Sequence, residues 1–275
     1  MLSFEGEGFT QPKREALEAF CAKLEDHPHG GRADGRIVVA EARSEGMIRA
    51  LQMYMKDDEY DRWFARLPNR TVTTGGKTFI ADDEILTAVV APLPGQALLD
   101  LAAHEAIEIA HAVHQIESGF VRPTNPDEAD GLTLYDEYRV ERARREISNE
   151  LRWPEGLTDA VQGMRAVIDE IASRMPPQRL DPPHMDFFGA WLEMAQALVM
   201  ACGRGAGGSQ SALEDVRRWS EHPLVADNGW EPVQSSLDEL YEQPGLGLEE
   251  LAPFTASLIR RPIIGYGRDA WRRGP

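Results

Sequence analysis

The chain has 275 residues, of which 42% are hydrophobic, and a formal net charge of −17 at pH 7. That composition supports a sizeable core, and so acidic a surface repels phosphate backbones, which excludes general nucleic-acid binding while suiting cations. No apolar run approaches the ~20 residues of a membrane helix, and the two cysteines, Cys21 and Cys202, form no close-spaced zinc or redox pair. The opening MLSFEGEGFTQPKREALEAF has neither the basic start nor the apolar run of a signal peptide. A cytoplasmic setting is the expectation.

Pro12 to Glu25 reads as a helix with Leu17, Phe20, Cys21 and Leu24 on one face. DHPHGGRADGR interrupts it, and His27 and His29 are expected to be exposed in this Gly-rich turn. RIVVAEA reads as a strand, and SEGMIRALQMYM as a helix with Ser44 at its cap, continued through DEYDRWFARL to Pro68. Two β-rich runs around Gly75-Gly76 suggest a hairpin, and EILTAVVA extends it before Pro92 and Pro94. A long helix follows, free of Gly and Pro from Gln96 to Gly119. RPTNPDEADG reads as a polar turn and Leu132 to Trp153 as the next helix. Farther on, LTDAVQGMRAVIDEIASRM is amphipathic and HMDFFGAWLEMAQALVMAC is a strongly apolar helix. GRGAGGS reads as a flexible break; its glycines follow no strand and carry no G-K-[ST], so it is not a phosphate loop. Two short helices follow, and the basic end RRPIIGYGRDAWRRGP is read as docking on the acidic body. The expected organisation is a helical region over 1–69, a core of strands and two motif helices over 70–153, and a helical region over 154–275 packed on the same core.

The chemistry concentrates in LAAHEAIEIAHAVHQIE, Leu101 to Glu117. His104, Glu108 and His111 recur at i, i+4, i+7 and share one helix face. Residues i and i+4 stand ~6 Å apart along the axis and can reach a common ion. His111 lies ~10.5 Å from His104 along the axis, so it pairs more easily with Glu108. That E-x-x-H spacing occurs in di-iron carboxylate bundles, but the chain offers no second copy. The next helix, YDEYRVERARREI, presents Glu137, Glu141 and Arg145 on one face.

The order of strand pair, helix with His-Glu, turn and helix with spaced acids resembles gluzincin-type zinc metallopeptidases, over roughly residues 70 to 153. EYRVERAR is similar to the E-x-x-A-D segment that supplies their third ligand. The resemblance implies His104 as the first metal ligand, Glu105 as the general base, Glu137 as the metal-binding Glu, and Glu141 as the acid that orients it. KTFIADDEILTAVVAP would match the strands that line the cleft and hold an extended substrate. The pattern departs at Glu108, which stands where H-E-x-x-H has its second His. A His-Glu-Glu set leaves Zn²⁺ formally neutral and moves preference toward Mn²⁺, Fe²⁺ or Mg²⁺. The metzincin pattern needs a Gly that this helix lacks.

The fold class expected is α+β, predominantly helical, with a small sheet before the motif helix, zincin-like by resemblance. The leading function is hydrolysis of a peptide or protein substrate by a divalent-metal-activated water. His104, Glu108 and Glu137 are the metal ligands, His111 a reserve ligand or proton donor, and Glu105 the base. The alternatives are a catalytically inactive zincin-like domain serving protein interaction or regulation, and plain helical packing. For ERARRE the alternative is a salt-bridged face, Glu141 with Arg145 and Arg142 with Glu146.

Overall fold

A computed structural model describes residues 1–40, 43–55, 75–80, 84–92, 98–153, 185–220, 230–243, 251–253 and 255–256. The readings of DEYDRWFARL, of LTDAVQGMRAVIDEIASRM and of the basic C-terminal end lie outside these residues. The protein is α+β, mostly helical, with one mixed four-stranded sheet among the described residues. The chain divides into two compact units, Met1–Gly119 with Ile147–Gly163, and Phe120–Glu146 with Met164–Pro275. Among the described residues no helix is long and apolar enough to cross a membrane.

The first unit carries strands β1 (Leu2–Glu5), β2 (Gly35–Val39), β3 (Gly76–Ile80) and β4 (Leu86–Val90). It also carries helices α1 (Gln11–Asp26), α2 (Arg43–Tyr54) and α3 (Leu98–Ser118). The sheet order is β1-β2-β4-β3, with β3 alone antiparallel. All five residues of β4 are buried, as a strand between neighbours and covered on both faces requires. Successive residues of β3 face opposite ways. Phe79 meets α2, its ring 5.5 Å from Tyr54, and Thr78 meets α3 through Glu105. The helices α2 and α3 therefore cover opposite faces of the sheet. On α1, Leu17, Phe20 and Leu24 are fully buried, and the Phe20 ring lies 5.4 Å from that of Trp153.

Several boundaries differ from the sequence reading. The run before Gly75-Gly76 lies outside the described residues, and Gly76 itself is a strand residue rather than a turn. Gly76 opens β3 opposite Val90, and the chain reverses between Ile80 and Leu86. Strand β1 is too short to announce itself, with Phe4 its one buried residue; its parallel pairing with β2 makes it a strand. Ser44 lies in the first turn of α2 rather than before it. Gly119, at φ 67, closes α3 in the left-handed conformation that glycine tolerates.

The second unit is built on α4 (Pro126–Glu150, up to Glu146), α5 (Met185–Ala206), α6 (Gln210–Ser220) and α7 (Trp230–Tyr241). Its own core joins Leu132, Tyr135 and Tyr138 to Leu198, Cys202, Leu237 and Tyr241. Helix α4 starts at Pro126 rather than Leu132, because Asn125 accepts the Asp127 amide at 3.1 Å and Pro126 takes the first helical position. GRGAGGS is not a flexible break either. Gly203 to Ala206 finish α5, and buried Ser209 caps α6 by accepting the Ala212 amide at 3.3 Å. A Cβ on Gly203 would stand 2.3 Å from the Tyr138 carbonyl oxygen, so glycine here sets how closely α5 meets α4.

Arg142 fixes α7 to α4. It bonds Glu146 at 3.1 Å and Glu242 at 2.6 Å, and its guanidinium lies 4.0 Å from the Tyr241 ring centre. The Glu146 pairing is the one expected from the sequence.

Gly203→Ala is expected to lower the unfolding free energy by about 1–3 kcal/mol in urea titration, despite alanine's advantage of about 1 kcal/mol inside a helix. Unchanged or increased stability would show that α5 and α4 do not meet through this glycine.

Candidate functional site

Helix α3 owes its position to small side chains. Ala102, Ala103, Ala106 and Ala110 are buried with Leu101, Ile107 and Ile109. The alanines let the helix axis approach β4, β3 and α1 closely. His104 and Glu108 stand half-buried, one helical turn apart. Glu105 points into the protein and is only 3% exposed.

A buried carboxylate needs partners. Oε2 of Glu105 accepts a hydrogen bond of 2.8 Å from the Thr78 hydroxyl. Its other oxygen lies over Gly76, where an added Cβ would come within 2.1 Å of Oε1. Gly76 and Thr78 are i, i+2 on β3 and so share one face. The strand thus supplies a donor and a gap at the spacing one carboxylate requires. Burial pushes the Glu105 carboxyl up to about 7; His104 opposes this, Glu108 adds to it, and the Thr78 bond and Lys77 oppose it. The sequence marked Gly76 only as a turn residue and Thr78 not at all, since their roles beside Glu105 depend on the strand register.

His111 is buried, and its Nε2 lies 2.9 Å from the carbonyl oxygen of His29. A carbonyl only accepts, so Nε2 carries the proton. This corrects the expected exposure of His29. It is 7% exposed, because the turn after α1 folds back as Gly31 donates to the Leu24 carbonyl at 3.0 Å. His27 is half-buried, and its Nδ1 accepts the His29 amide at 3.2 Å. His114 is exposed. Neither cysteine forms a disulfide among the described residues. Burial first, then Glu25 and Glu18, push the Cys21 thiol up to about 12, which suppresses the reactive thiolate.

In the second unit, Glu137 and Glu141 lie one turn apart on α4 with different partners. Glu137 is half-buried, and its Oε1 accepts from Gln196 on α5 at 2.5 Å. Glu141 is 1% exposed and ion-paired to Arg144 at 2.7 Å and to Arg204 on α5. The sequence paired Glu141 with Arg145 or gave it the orienting role beside Glu137. Arg204 comes from a helix about sixty residues farther along and could not be anticipated.

Two predictions follow from these buried acids. The raised carboxyl of Glu105 means that between pH 4.5 and about 7 the native state holds a proton that the unfolded chain has lost. Its contribution is therefore favourable at low pH and is lost as pH rises through that window. In metal-free protein, Glu105→Gln should gain on wild type by about 3 kcal/mol between pH 4.5 and pH 8 in urea titrations. Parallel pH profiles would contradict the assignment. Glu141→Gln leaves two buried guanidiniums without their carboxylate and should cost about 3–5 kcal/mol of stability; a loss under about 1 kcal/mol would contradict the ion-pair role.

Comparison of the chain with protein-family models, with curated proteins and with solved structures finds no match.

Proposed function

We propose that this protein is a metal-dependent peptide hydrolase of zincin-like architecture, in which His104, Glu108 and Glu137 hold one divalent cation and Glu105 is the general base. The observation that carries the reading lies on α3. His104 and Glu108 stand one turn apart, while Glu105, beside His104 in the chain, is lodged against β3 by Thr78 and Gly76. Glu137 joins them in this reading through the likeness of EYRVERAR to the third-ligand segment of gluzincin-type metallopeptidases.

The donor chemistry fits such a cation: one imidazole nitrogen and two carboxylate oxygens, all on half-buried side chains. The set leaves Zn²⁺ formally neutral, so Mn²⁺, Fe²⁺ and Mg²⁺ compete with it. A cation held there supplies Lewis acidity toward a peptide carbonyl and lowers the pKa of a water molecule. Glu105 takes the proton of the attacking water at Oε1 and passes it to the leaving amine. Thr78 holds Oε2 and so fixes the carboxylate plane for that transfer. Strand β3 is the edge of the sheet among the described strands, where an extended peptide can add as a further strand. His111 stays outside the ligand set and serves the fold through His29. The reading takes the protein to be cytoplasmic, with a peptide or protein as substrate and no nucleic-acid partner, in keeping with the net charge of −17.

One observation favours a second reading, a catalytically inactive domain of the same architecture that serves protein interaction or regulation. Glu105 is 3% exposed, and a base that meets water must be reached by it.

Protein purified without chelator is expected to carry stoichiometric divalent metal by elemental analysis, and His104→Ala combined with Glu108→Ala to lose it. Glu105→Gln should lower peptide hydrolysis by about 10²–10⁴-fold with metal content unchanged. Absence of stoichiometric metal contradicts the proposal. Bound metal with no hydrolysis of peptide libraries selects the inactive reading.

A further inference from the structure

The helices α4 and α5 meet in matched order. Gln196 pairs with Glu137, Gly203 lies against Tyr138, and Arg204 pairs with Glu141. The two helices therefore run side by side in the same sense, and α5 treats two successive carboxylates of α4 differently. Glu141 receives two guanidiniums, which neutralise it and withdraw it from any ligand role. Glu137 receives a primary amide, which donates a hydrogen bond without adding charge. An amide orients the carboxylate without bringing a positive charge that would compete with a cation. A carboxylate otherwise turns broadly about its last torsion and can offer one oxygen or both. Gln196 is well placed to stop that turning, since Ala195, Ala197 and Leu198 beside it are buried and hold this stretch of α5 in the core.

We propose that Gln196 is a positioning residue for the metal ligand Glu137: by donating to Oε1 it assigns the ligand role to Oε2 and limits Glu137 to one-oxygen coordination. This rests on the metal reading above, but it is carried by a separate observation, the hydrogen bond within the second unit. The resemblance to metallopeptidases points to Glu141 for this task; the geometry gives it to Gln196 instead.

The test uses the full chain, stripped of metal and reloaded. Zn²⁺ affinity is measured by competition with a chromogenic chelator for wild type, Glu137→Gln, Gln196→Leu and Gln196→Met. The second Gln196 variant serves if leucine is not tolerated. Melting of the metal-free proteins is followed in parallel, and Co²⁺ is loaded as a spectroscopic probe of coordination number. Loss of Gln196 is expected to weaken Zn²⁺ binding about 10–100-fold, the range seen when groups that orient a ligand are removed, with metal-free melting unchanged. The visible Co²⁺ band should weaken as Glu137 brings in its second oxygen and coordination rises above four. Wild-type affinity and an unchanged Co²⁺ spectrum in the Gln196 variants overturn the inference. So does an affinity loss matched by equal loss of metal-free stability with the spectrum unchanged. Wild type that binds no Zn²⁺ any better than Glu137→Gln contradicts the metal reading itself, and the inference falls with it.

Discussion

The carboxylate of Glu105 is a charge taken out of water, and the first unit is arranged around making that tolerable. A buried carboxyl without partners costs several kcal/mol or keeps its proton. Glu105 does both in part, holding one hydrogen bond to Thr78 and a pKa moved up toward neutrality. The arrangement works only if α3 lies close to the sheet, which its alanines permit, and only if β3 presents Thr78 and Gly76 on the facing side. That in turn requires the β3–β4 register that sets Gly76 opposite Val90 and Thr78 opposite Ala88. A slip of one residue would bring Lys77 and Phe79 to the face where Thr78 now meets Glu105.

The second unit applies another solution to the same problem. Glu141 is buried at 1% exposure and is matched by charge, with Arg144 from its own helix and Arg204 from α5. Ion pairs so deep contribute little net stability but are costly to break, which makes them better suited to fixing which helices meet than to holding them together. Glu137, one turn earlier, accepts a hydrogen bond from the Gln196 amide. Two acids four residues apart therefore differ in what they can do. The structural role falls to Glu141, and in the proposed reading Glu137 is the cation ligand.

Much of this was legible wherever local pattern decides. The absence of Gly and Pro through residues 98–118 announced α3, and the mainly apolar run of 86–90, with Thr87, Val89 and Val90, announced β4. The i, i+4 placement of His104 and Glu108 followed from helical periodicity alone. What was not legible depends on distant partners. Gly76 looked like a turn residue because glycine usually marks turns, yet its missing side chain accommodates Glu105 from another element. The glycines of GRGAGGS looked like a break, while Gly203 makes room for a neighbouring helix. His29 looked exposed among glycines and is buried by a bond from His111, eighty-two residues away. Gln196 carried no signal at all, since a glutamine on an apolar helix acquires meaning only from the carboxylate it faces.

The central claim is that one imidazole and two carboxylates of this chain share a divalent cation. X-ray absorption at the zinc edge of the reloaded protein tests it most directly. The account predicts a first shell of nitrogen and oxygen at about 2.0–2.2 Å with the outer-shell scattering of a single imidazole. A sulfur shell near 2.3 Å, or scattering from two or more imidazoles, would contradict it.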